Sequence, residues 1–305
     1  MGSSDSPDGS HGAAVTAEDF GLKGPRGWTF RSVSIKAEPG SLIAIEGPSG
    51  SGRTCLLLAL AGRMRPTEGH AEIGGLPLPR KMAAVRRISA LGPVTGVSEL
   101  DPALTVAEHL RERGLLQRHF DGSLRTLLRP RAERAAATRS RIDEALEAAG
   151  LDLAALPKGE RTAVRDLERL EALRLSVALA LIGRPRLLAV DDVDLKLSDT
   201  DRAEAWKLLR SVAEAGTTVL TVCSQAPEGT TAIRTAATTD PDAPDAAPAL
   251  ESEAAPDATP GAVPANTTEA TETTSEVTPE DASADTDQDT TEEGTTDALA
   301  ETGRA

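Results

Sequence analysis

The chain has 305 residues and a formal net charge of −15 at pH 7, but this acidity is confined to its C-terminal part. Residues 226–305 contain 19 aspartates and glutamates against two arginines, which leaves residues 1–225 close to neutral. Aromatic residues make up only 2% of the chain. The sequence therefore lacks the basic, aromatic-bearing composition of a nucleic-acid-binding protein, and we expect no nucleic acid partner.

The two ends of the chain have compositions typical of disorder. Residues 1–14 are rich in Gly, Ser and Asp, and residues 226–305 consist mainly of Ala, Thr, Pro and acidic residues. Such segments bury too little apolar surface to offset the entropy lost on ordering. We expect a disordered N-terminus over 1–14, a folded domain over 15–225, and a disordered acidic tail over 226–305 in which Thr231–Thr235 is a candidate strand. The tail is either a solvating segment or an acidic arm that contacts a partner.

The sequence also predicts where the protein resides. No run of about 18 apolar residues is present, and the first residues lack the basic and then apolar pattern of a signal peptide. We therefore expect a cytoplasmic protein without a membrane-spanning helix. The two cysteines, Cys55 and Cys223, fall in predicted interior elements without metal-ligand spacing, so we expect them to be buried small hydrophobic residues.

The first part of the folded domain is predicted to contain strands. Alternating apolar residues between positions 15 and 46 predict short, half-exposed antiparallel strands, for example Trp28–Phe30. The apolar run Leu42–Ile45 predicts a strand that leads directly into a glycine-rich segment, and Leu56–Leu60 predicts a helix after that segment.

The glycine-rich segment has the spacing G-x-x-x-x-G-[K]-[ST] of a phosphate-binding loop, with Arg53 in place of the lysine. Its glycines let the backbone approach a ligand closely, so that successive amides and the N-terminus of the following helix surround an anion. Arg53 keeps the positive charge of lysine but not its compact shape. We predict that nucleotide phosphates bind at Gly47, Pro48, Ser49, Gly50, Ser51, Gly52, Arg53, Thr54 and Cys55. A strand-to-helix turn without a ligand is the alternative interpretation.

From residue 105 onward the apolar periodicity becomes helical. Thr105 is a candidate cap for a helix that continues to Leu116, a second helix is predicted over residues 132–149, and a third over residues 164–181. These segments predict a helical insert over about residues 105–165.

A buried parallel strand is predicted over Leu187–Val190, because a continuous apolar run is typical of such strands. Asp191 and Asp192 follow it directly, at the carboxyl end where ligands bind in open α/β sheets. A helix over about residues 199–214, with Ser198 or Asp199 as its candidate cap, and a buried strand over Thr218–Cys223 complete the predicted domain.

This order of motifs resembles the nucleotide-binding domain of ATP-binding cassette (ABC) transporters over about residues 15–225. Gly47–Gly52 is similar to the family's Walker A motif, Pro102–Leu110 to the entry of its helical subdomain, and Ala178–Pro185 to the run before its Walker B strand. The resemblance implies an α/β P-loop NTPase fold of the ABC type, with an antiparallel β subdomain and a helical subdomain.

The resemblance also implies that the chain binds ATP and Mg²⁺. Asp191 would help to hold Mg²⁺ together with Thr54, because a carboxylate is a suitable hard ligand for this cation. Asp192 takes the position of the family's catalytic glutamate. Trp28 is a candidate platform for the adenine ring, and a packing role in the core is the alternative for this side chain.

Five departures from the family surround this site. Arg53 replaces the Walker A lysine, Asp192 is one methylene shorter than the catalytic glutamate, and no glutamine lies between residues 88 and 104. The LSGGQ signature would fall on Leu167–Glu171, which keeps only the leucine, and no histidine occurs at Cys223–Gln225, where the switch histidine would fall. Because losing one preorganised charge-stabilising group typically costs roughly 10²–10³ in rate, we expect slow hydrolysis.

The sequence leaves two main functions open, with an unrelated P-loop enzyme as a third alternative. The first is an ATP-binding subunit that couples ATP binding or slow hydrolysis to a separately encoded membrane permease subunit. Such a subunit would act as a homo- or heterodimer of ATP-binding domains at the inner face of the membrane, where a partner with an intact signature could complete the site. The second is a catalytically degenerate nucleotide-binding module with a regulatory or scaffolding role and without significant ATPase activity.

Overall fold

The structure is a computed structural model that describes residues 11–25, 27–120 and 130–235, and the structural statements below refer to these residues. In chain order, its strands and α-helices are β1 (Val15–Gly24), β2 (Gly27–Ala37), β3 (Leu42–Glu46), α1 (Arg53–Leu60), β4 (Glu68–Ile73), β5 (Leu76–Leu78), α2 (Met82–Ile88), β6 (Ser89–Leu91), α3 (Val106–Phe120), α4 (Arg131–Ala148), α5 (Arg169–Leu181), β7 (Leu187–Val190), α6 (Asp199–Glu214), β8 (Thr218–Val222) and β9 (Thr231–Arg234). The disorder predicted for residues 1–10 and 236–305 lies outside the described residues.

Four of the described strands form an antiparallel sheet in the order β2-β1-β4-β5. Val15, Ala17 and Phe20 of β1 are buried, and the ring of Phe20 lies 5.8 Å from the ring of Phe30 on β2. Successive side chains of a strand point to opposite faces, so one face of this sheet covers a core while the other remains accessible. The antiparallel subdomain predicted from the alternating pattern is thereby confirmed.

The remaining described strands form a parallel sheet in the order β6-β7-β8-β3-β9. Every residue of β7 and β8 is buried, as expected for strands covered on both faces. Ile43 and Ile45 of β3 belong to the same core as the apolar residues of α1, while Ala44 belongs to the core formed with α5 and α6. The sheet therefore separates two cores, and its carboxyl edge gathers the ends of β3, β7 and β8. The predicted α/β fold class is confirmed.

Two helix starts agree with the capping residues predicted from the sequence. At α3, the Thr105 amide donates to the Glu108 carboxylate at 2.7 Å, and the Glu108 amide donates to the Thr105 hydroxyl at 3.3 Å, which is a capping box. At α6, the Ser198 hydroxyl accepts a hydrogen bond from the Asp201 amide at 3.1 Å. Both caps satisfy backbone donors that have no partner within the helix.

Helix α5 starts later than the sequence predicted. It begins at Arg169, whereas the apolar stripe indicated a helix from Val164. Residues 164–166 form a separate 3₁₀ turn, and the chain is extended before α5, where the Glu168 amide donates to the Glu171 carboxylate at 2.8 Å. The segment that would correspond to the signature is therefore the capped N-terminus of α5.

The described fold is longer at both ends than the domain expected over residues 15–225. Ala13 is fully buried, its amide donates to the Arg186 carbonyl at 3.0 Å, and its carbonyl accepts from the Thr218 hydroxyl at 2.8 Å. At the other end, β9 pairs in parallel with β3, with Ile233 opposite Ile45. The strand that the sequence offered only as a candidate over Thr231–Thr235 therefore belongs to the parallel sheet.

None of the helices within the described ranges is long and apolar enough to cross a membrane.

The contribution of β9 can be tested by replacing Ile233, which is 6% exposed. Ile233→Ala should lower the free energy of unfolding by about 2–5 kcal/mol, because it leaves a cavity beside β3. Thr231→Ala, at an exposed position of the same strand, is the matched control and should change stability by no more than about 0.5 kcal/mol. Urea denaturation measures both, and equal stability of the two variants would show that β9 does not support the core.

Candidate nucleotide-binding site

The phosphate loop between β3 and α1 depends on glycine at positions where the backbone has a positive φ. Gly50 and Gly52 have φ angles of 80° and 78°. At Gly52 a Cβ atom would collide with the carbonyl of Thr29 on β2, whereas at Gly50 it would meet no protein atom within 4 Å. The constraint at Gly52 therefore comes from packing against the antiparallel sheet. Gly50 lies in an open turn at the exposed tip of the loop, beside Pro48 and Ser49.

The loop is also tied to the end of the described chain. The hydroxyls of Ser51 and Thr235 lie 2.7 Å apart, and Ser51 is 1% exposed. The Thr235 amide donates to the carbonyl of Glu46 at 2.8 Å, and a Cβ atom on Gly47 would collide with Thr235. The sequence pattern indicated Ser51 but not Thr235, because the two residues are 184 positions apart and Thr235 belongs to no local motif.

Thr54 and Asp191, the two predicted metal ligands, are brought together by the fold. The Thr54 hydroxyl donates to the carboxylate of Asp191, with distances of 3.0 Å and 3.2 Å to its two oxygens. Asp191 is 6% exposed, and burial raises its pKa, an effect that the hydrogen bond from Thr54 partly offsets and the negative charge of Asp192 reinforces. A buried carboxylate beside a hydroxyl is a set of hard oxygen donors, so the residues present fit Mg²⁺.

Arg53 and Asp192 lie at the same edge of the sheet. A guanidinium nitrogen of Arg53 donates to the carbonyl of Cys223 at 2.8 Å, and another lies 4.0 Å from a carboxylate oxygen of Asp192. Asp192 has a φ of 44°, which is strained for a residue with a side chain and is found most often at functional sites. The planar fork of Arg53 thus bridges the ends of β7 and β8, a contact that the shorter reach of a lysine point charge would not reproduce.

Cys55 follows in the first turn of α1 and is only partly buried, whereas Cys223 is fully buried. Burial raises the pKa of the Cys55 thiol, with a further increase from the charge of Asp191, and raises that of Cys223 to about 12. Both thiols stay neutral at physiological pH. The contribution of Cys55 to phosphate binding would therefore come from its backbone amide, not from its side chain.

Two acidic residues that the sequence did not indicate hold the segment where the switch histidine would fall. Asp194 accepts a hydrogen bond from the Ser224 amide at 2.8 Å, and Glu46 accepts from the Ala226 amide and from Arg234. These contacts fix the backbone after β8 next to the phosphate loop. Glu46 could have been noticed because it ends the strand that enters the loop, but its two partners are 180 and 188 residues away.

The Trp28 side chain is half-buried on β2, directly before the residue that packs against Gly52. The charged groups of Lys23 and Arg31 lie 5.4 Å and 4.8 Å from the centre of its ring, within the range of cation–π attraction. The ring is therefore not enclosed in the core, and two cations lie beside it, while the neighbouring Thr29 contacts the loop through its backbone.

The site defined by this geometry is that of a P-loop nucleotide-binding domain. The family model described as ABC transporter matches residues 30–194, which is more than half of the chain. The chain belongs to the ABC transporter family, and as a member of that family it carries an ATP-binding domain.

Curated relatives include the Nod factor export ATP-binding protein I of Cupriavidus metallidurans, with 32% identity over 62% of this chain and 55% of that protein. The daunorubicin resistance ATP-binding protein DrrA3 of Streptomyces coeruleorubidus is 33% identical over 62% of this chain and 53% of its own length. The chain thus spans about half the length of the curated relatives it matches.

Among solved structures, the dimeric post-hydrolysis state of the ATP-binding cassette MJ0796 bound to ADP and Pi has a similar fold. Its TM-score is 0.53 at 23% identity, and the match covers 69% of this chain and 88% of that chain.

The packing of the loop predicts different effects for two matched glycine variants. Gly50→Ala and Gly52→Ala impose nearly the same φ strain, of about 1–2 kcal/mol. Gly52→Ala should lower the free energy of unfolding by a further amount of about 1–3 kcal/mol, because the new methyl group overlaps the Thr29 carbonyl. Chemical denaturation of both variants tests this, and equal destabilisation would contradict the close approach of β2 to the loop.

The raised pKa of Asp191 predicts that this carboxylate destabilises the protein in the absence of Mg²⁺ and nucleotide. The folded state holds the Asp191 proton more tightly than the unfolded state, so the free energy of unfolding should fall as pH rises from about 4 through the raised pKa. Asp191→Asn should remove this part of the pH dependence and increase stability at neutral pH.

The same variant should weaken Mg²⁺-dependent ATP binding by roughly 10–100-fold. Thermal unfolding between pH 4 and 8, with and without Mg²⁺ and ATP, measures both effects. A less stable Asp191→Asn variant at neutral pH would show that the carboxylate is a net stabilising group.

Proposed function

We propose that the chain is the ATP-binding subunit of an ABC-type transport system, which binds ATP with Mg²⁺ and transmits binding or slow hydrolysis to a separate membrane subunit. The observation that carries this proposal is the hydrogen bond between Thr54 and Asp191 directly beside the glycine loop. It places hard oxygen donors next to a backbone shaped for phosphate. The names of two relatives, one for Nod factor export and one for daunorubicin resistance, support a transport role.

The phosphates would be held by the backbone amides of Gly47–Thr54 and by the first turn of α1, with Arg53 supplying positive charge. Mg²⁺, held with the help of Thr54 and Asp191, would neutralise charge on the phosphate oxygens. The Arg53 guanidinium would contact the phosphates with N–H donors other than the one that donates to the Cys223 carbonyl, or would exchange that hydrogen bond for one with the ligand. Trp28 would provide the adjoining surface for the base, after displacement of a neighbouring cation from its ring.

Asp192 would act as the general base on an attacking water. Its contact with Arg53, whose guanidinium nitrogen lies 4.0 Å from a carboxylate oxygen, holds the carboxylate near the loop. Its side chain is one methylene shorter than glutamate, so it reaches less far into the space above the loop. Ser224 and Gln225, in the place of the switch histidine, offer only neutral groups for stabilising developing charge.

A catalytically degenerate module without significant ATPase activity is the second candidate. The N-terminus of α5 favours it, because Glu168 and Glu171 form a capping box that occupies backbone donors there and adds negative charge. A nucleotide brought against this helix end by a second copy of the chain would meet carboxylates in place of free amides. A heterodimer, in which another cassette with an intact signature closes the site, avoids this repulsion. We place such an assembly at the cytoplasmic face of the membrane, bound to a separately encoded permease.

ATP with Mg²⁺ should bind to the purified full chain, while phosphate release should be roughly 10²–10³ slower than in an intact cassette. Calorimetry measures the first and a phosphate-release assay the second. Absence of binding heat and of a thermal shift would refute the proposed function. Binding without measurable turnover, also in the presence of a cassette with an intact signature, would favour the degenerate module.

The role of Arg53 can be separated from that of Asp192. Arg53→Lys should raise the turnover rate more than the affinity, because lysine restores a compact charge that can approach the transferring phosphate. Asp192→Glu restores the reach of the general base. It is made alone and together with Arg53→Lys, and its turnover rate is compared with that of Arg53→Lys. An unchanged rate in Arg53→Lys with a faster Asp192→Glu would assign the slow turnover to the base.

A further inference from the structure

The last described residue of the chain lies against the phosphate loop. This residue is Thr235, whose hydroxyl lies 2.7 Å from that of Ser51 in the loop. The strand that leads to it, β9, also contacts β2 of the antiparallel sheet. Because Gly52 of the loop packs against the Thr29 carbonyl on β2, Thr235 and this part of β2 flank the same loop. The sequence that follows Thr235 therefore starts beside the candidate nucleotide-binding site.

Two exposed cations on this part of the antiparallel sheet carry no compensating charge. Lys23 and Arg31 lie 5.4 Å and 4.8 Å from the centre of the Trp28 ring, and Trp28 directly precedes Thr29. Among the ion pairs formed within the described residues, none includes either cation. The ring attracts both cations but bears no net charge. This cluster, which we call the Trp28 cation pair, can therefore still bind acidic groups.

The sequence after Thr235 supplies charge of the opposite sign at once. Asp240, Asp242 and Asp245 follow within ten residues, and residues 236–246 contain no basic residue. The acidity continues beyond this segment, since residues 236–305 contain 18 acidic residues against one arginine. The part of the acidic tail that starts beside the phosphate loop is thus complementary in charge to the Trp28 cation pair.

This segment is also long enough to cross the phosphate loop. An extended chain advances by at most about 3.3–3.6 Å per residue, so Asp240 can lie up to roughly 17 Å from Thr235, and Asp242 up to roughly 24 Å. A side chain at Gly47 would meet Thr235, and one at Gly52 would meet β2. The loop between these two glycines spans at most roughly 18 Å by the same measure. The aspartates can therefore reach the far side of the loop, where the Trp28 cation pair lies on β2.

We propose that residues 236–246 dock across the phosphate loop when no nucleotide is bound, with their aspartates paired with Lys23 and Arg31. Exposed ion pairs are weak individually, but attachment to Thr235 gives the segment a high effective concentration at this surface. The docked segment covers the Trp28 ring and adds negative charge where phosphates would bind, so a nucleotide has to displace it. The competition with nucleotide rests on the function proposed above, whereas the docking itself does not.

Neutral substitutions in the full chain test the competition. The first variant combines Asp240→Asn, Asp242→Asn and Asp245→Asn, and we call it the near variant. Because the docked segment keeps part of the chain from binding nucleotide, the near variant should bind ATP with Mg²⁺ about three- to tenfold more tightly than the parent chain. Calorimetry measures both affinities.

A control variant removes the same number of charges far along the sequence. It combines Glu292→Gln, Glu293→Gln and Asp297→Asn. Its affinity for ATP should equal that of the parent chain. If the near and control variants bound ATP equally tightly, the effect would come from net charge or be absent, and the competition would be refuted.

Acrylamide quenching of tryptophan fluorescence tests the docking without nucleotide. The chain has two tryptophans, and Trp206 is only 7% exposed, so quenching reports mainly on the half-buried Trp28. The near variant should be quenched more strongly than the parent and control chains, and salt at about 0.5 M should remove this difference by screening the ion pairs. Equal quenching of the three chains at low salt would overturn the docking. Quenching of the parent that changes with protein concentration would place the segment on a second copy and contradict the proposal as well.

Removal of the two cations locates the contact. In a chain that carries Lys23→Gln and Arg31→Gln, the three asparagine substitutions of the near variant should change neither the quenching nor the affinity for ATP, because their partners are gone. An undiminished effect in this background would place the aspartates elsewhere. A retained quenching difference in a chain that does not bind ATP would refute the proposed function alone. Loss of that difference in a chain that binds ATP would refute the docking alone.

Discussion

The phosphate loop is packed so closely between Thr29 and Thr235 that a side chain at Gly47 or Gly52 would collide with the neighbouring chain. Thr29 belongs to the antiparallel sheet and Thr235 follows the last described strand of the parallel sheet, so the loop is the place where the two sheets meet. The hydroxyl contact between Ser51 and Thr235 and the amide contact of Thr235 with Glu46 maintain this arrangement. The shape of the ligand cradle is therefore a consequence of how the sheets pack, not of the loop sequence alone.

The packing of the loop also determines which charged side chains meet at the carboxyl edge of the parallel sheet. The loop delivers Arg53 to the ends of β7 and β8, where it meets the Cys223 carbonyl and the adjacent carboxylates of Asp191 and Asp192. One cation thus compensates two neighbouring acids, and burial still raises the pKa of Asp191. A divalent cation would relieve this excess negative charge, which gives a physical reason for metal and nucleotide to bind together. In the function proposed above, nucleotide binding would depend mainly on the backbone of the loop and on Thr54, whereas hydrolysis would depend on the reach of Asp192.

Much of the fold could be predicted from the sequence, and so could the part of the site that depends on local pattern. Continuous apolar runs identified β3 and β7, glycine spacing identified the loop, and hydroxyl residues identified the starts of α3 and α6. β9 was only a candidate, because its four residues are stabilised by pairing with β3, far away in the sequence, and follow a segment with few order signals. The contacts of Thr235 and Asp194 could not be predicted for the same reason, since each depends on which distant backbone group the fold brings near.

Two cavities in the described part of the chain share a wall. One, of about 240 Å³, lies against Asp191 and Asp192, and the other is a cleft of about 1000 Å³ between α2, β6, α3 and α5. Glu99, Leu100 and Ser176 line both. The segment that carries Glu99 is anchored at its start to the site, because the Pro93 carbonyl accepts the Asp191 amide at 3.0 Å. A group in the larger cleft therefore contacts the same short segment that borders the two carboxylates.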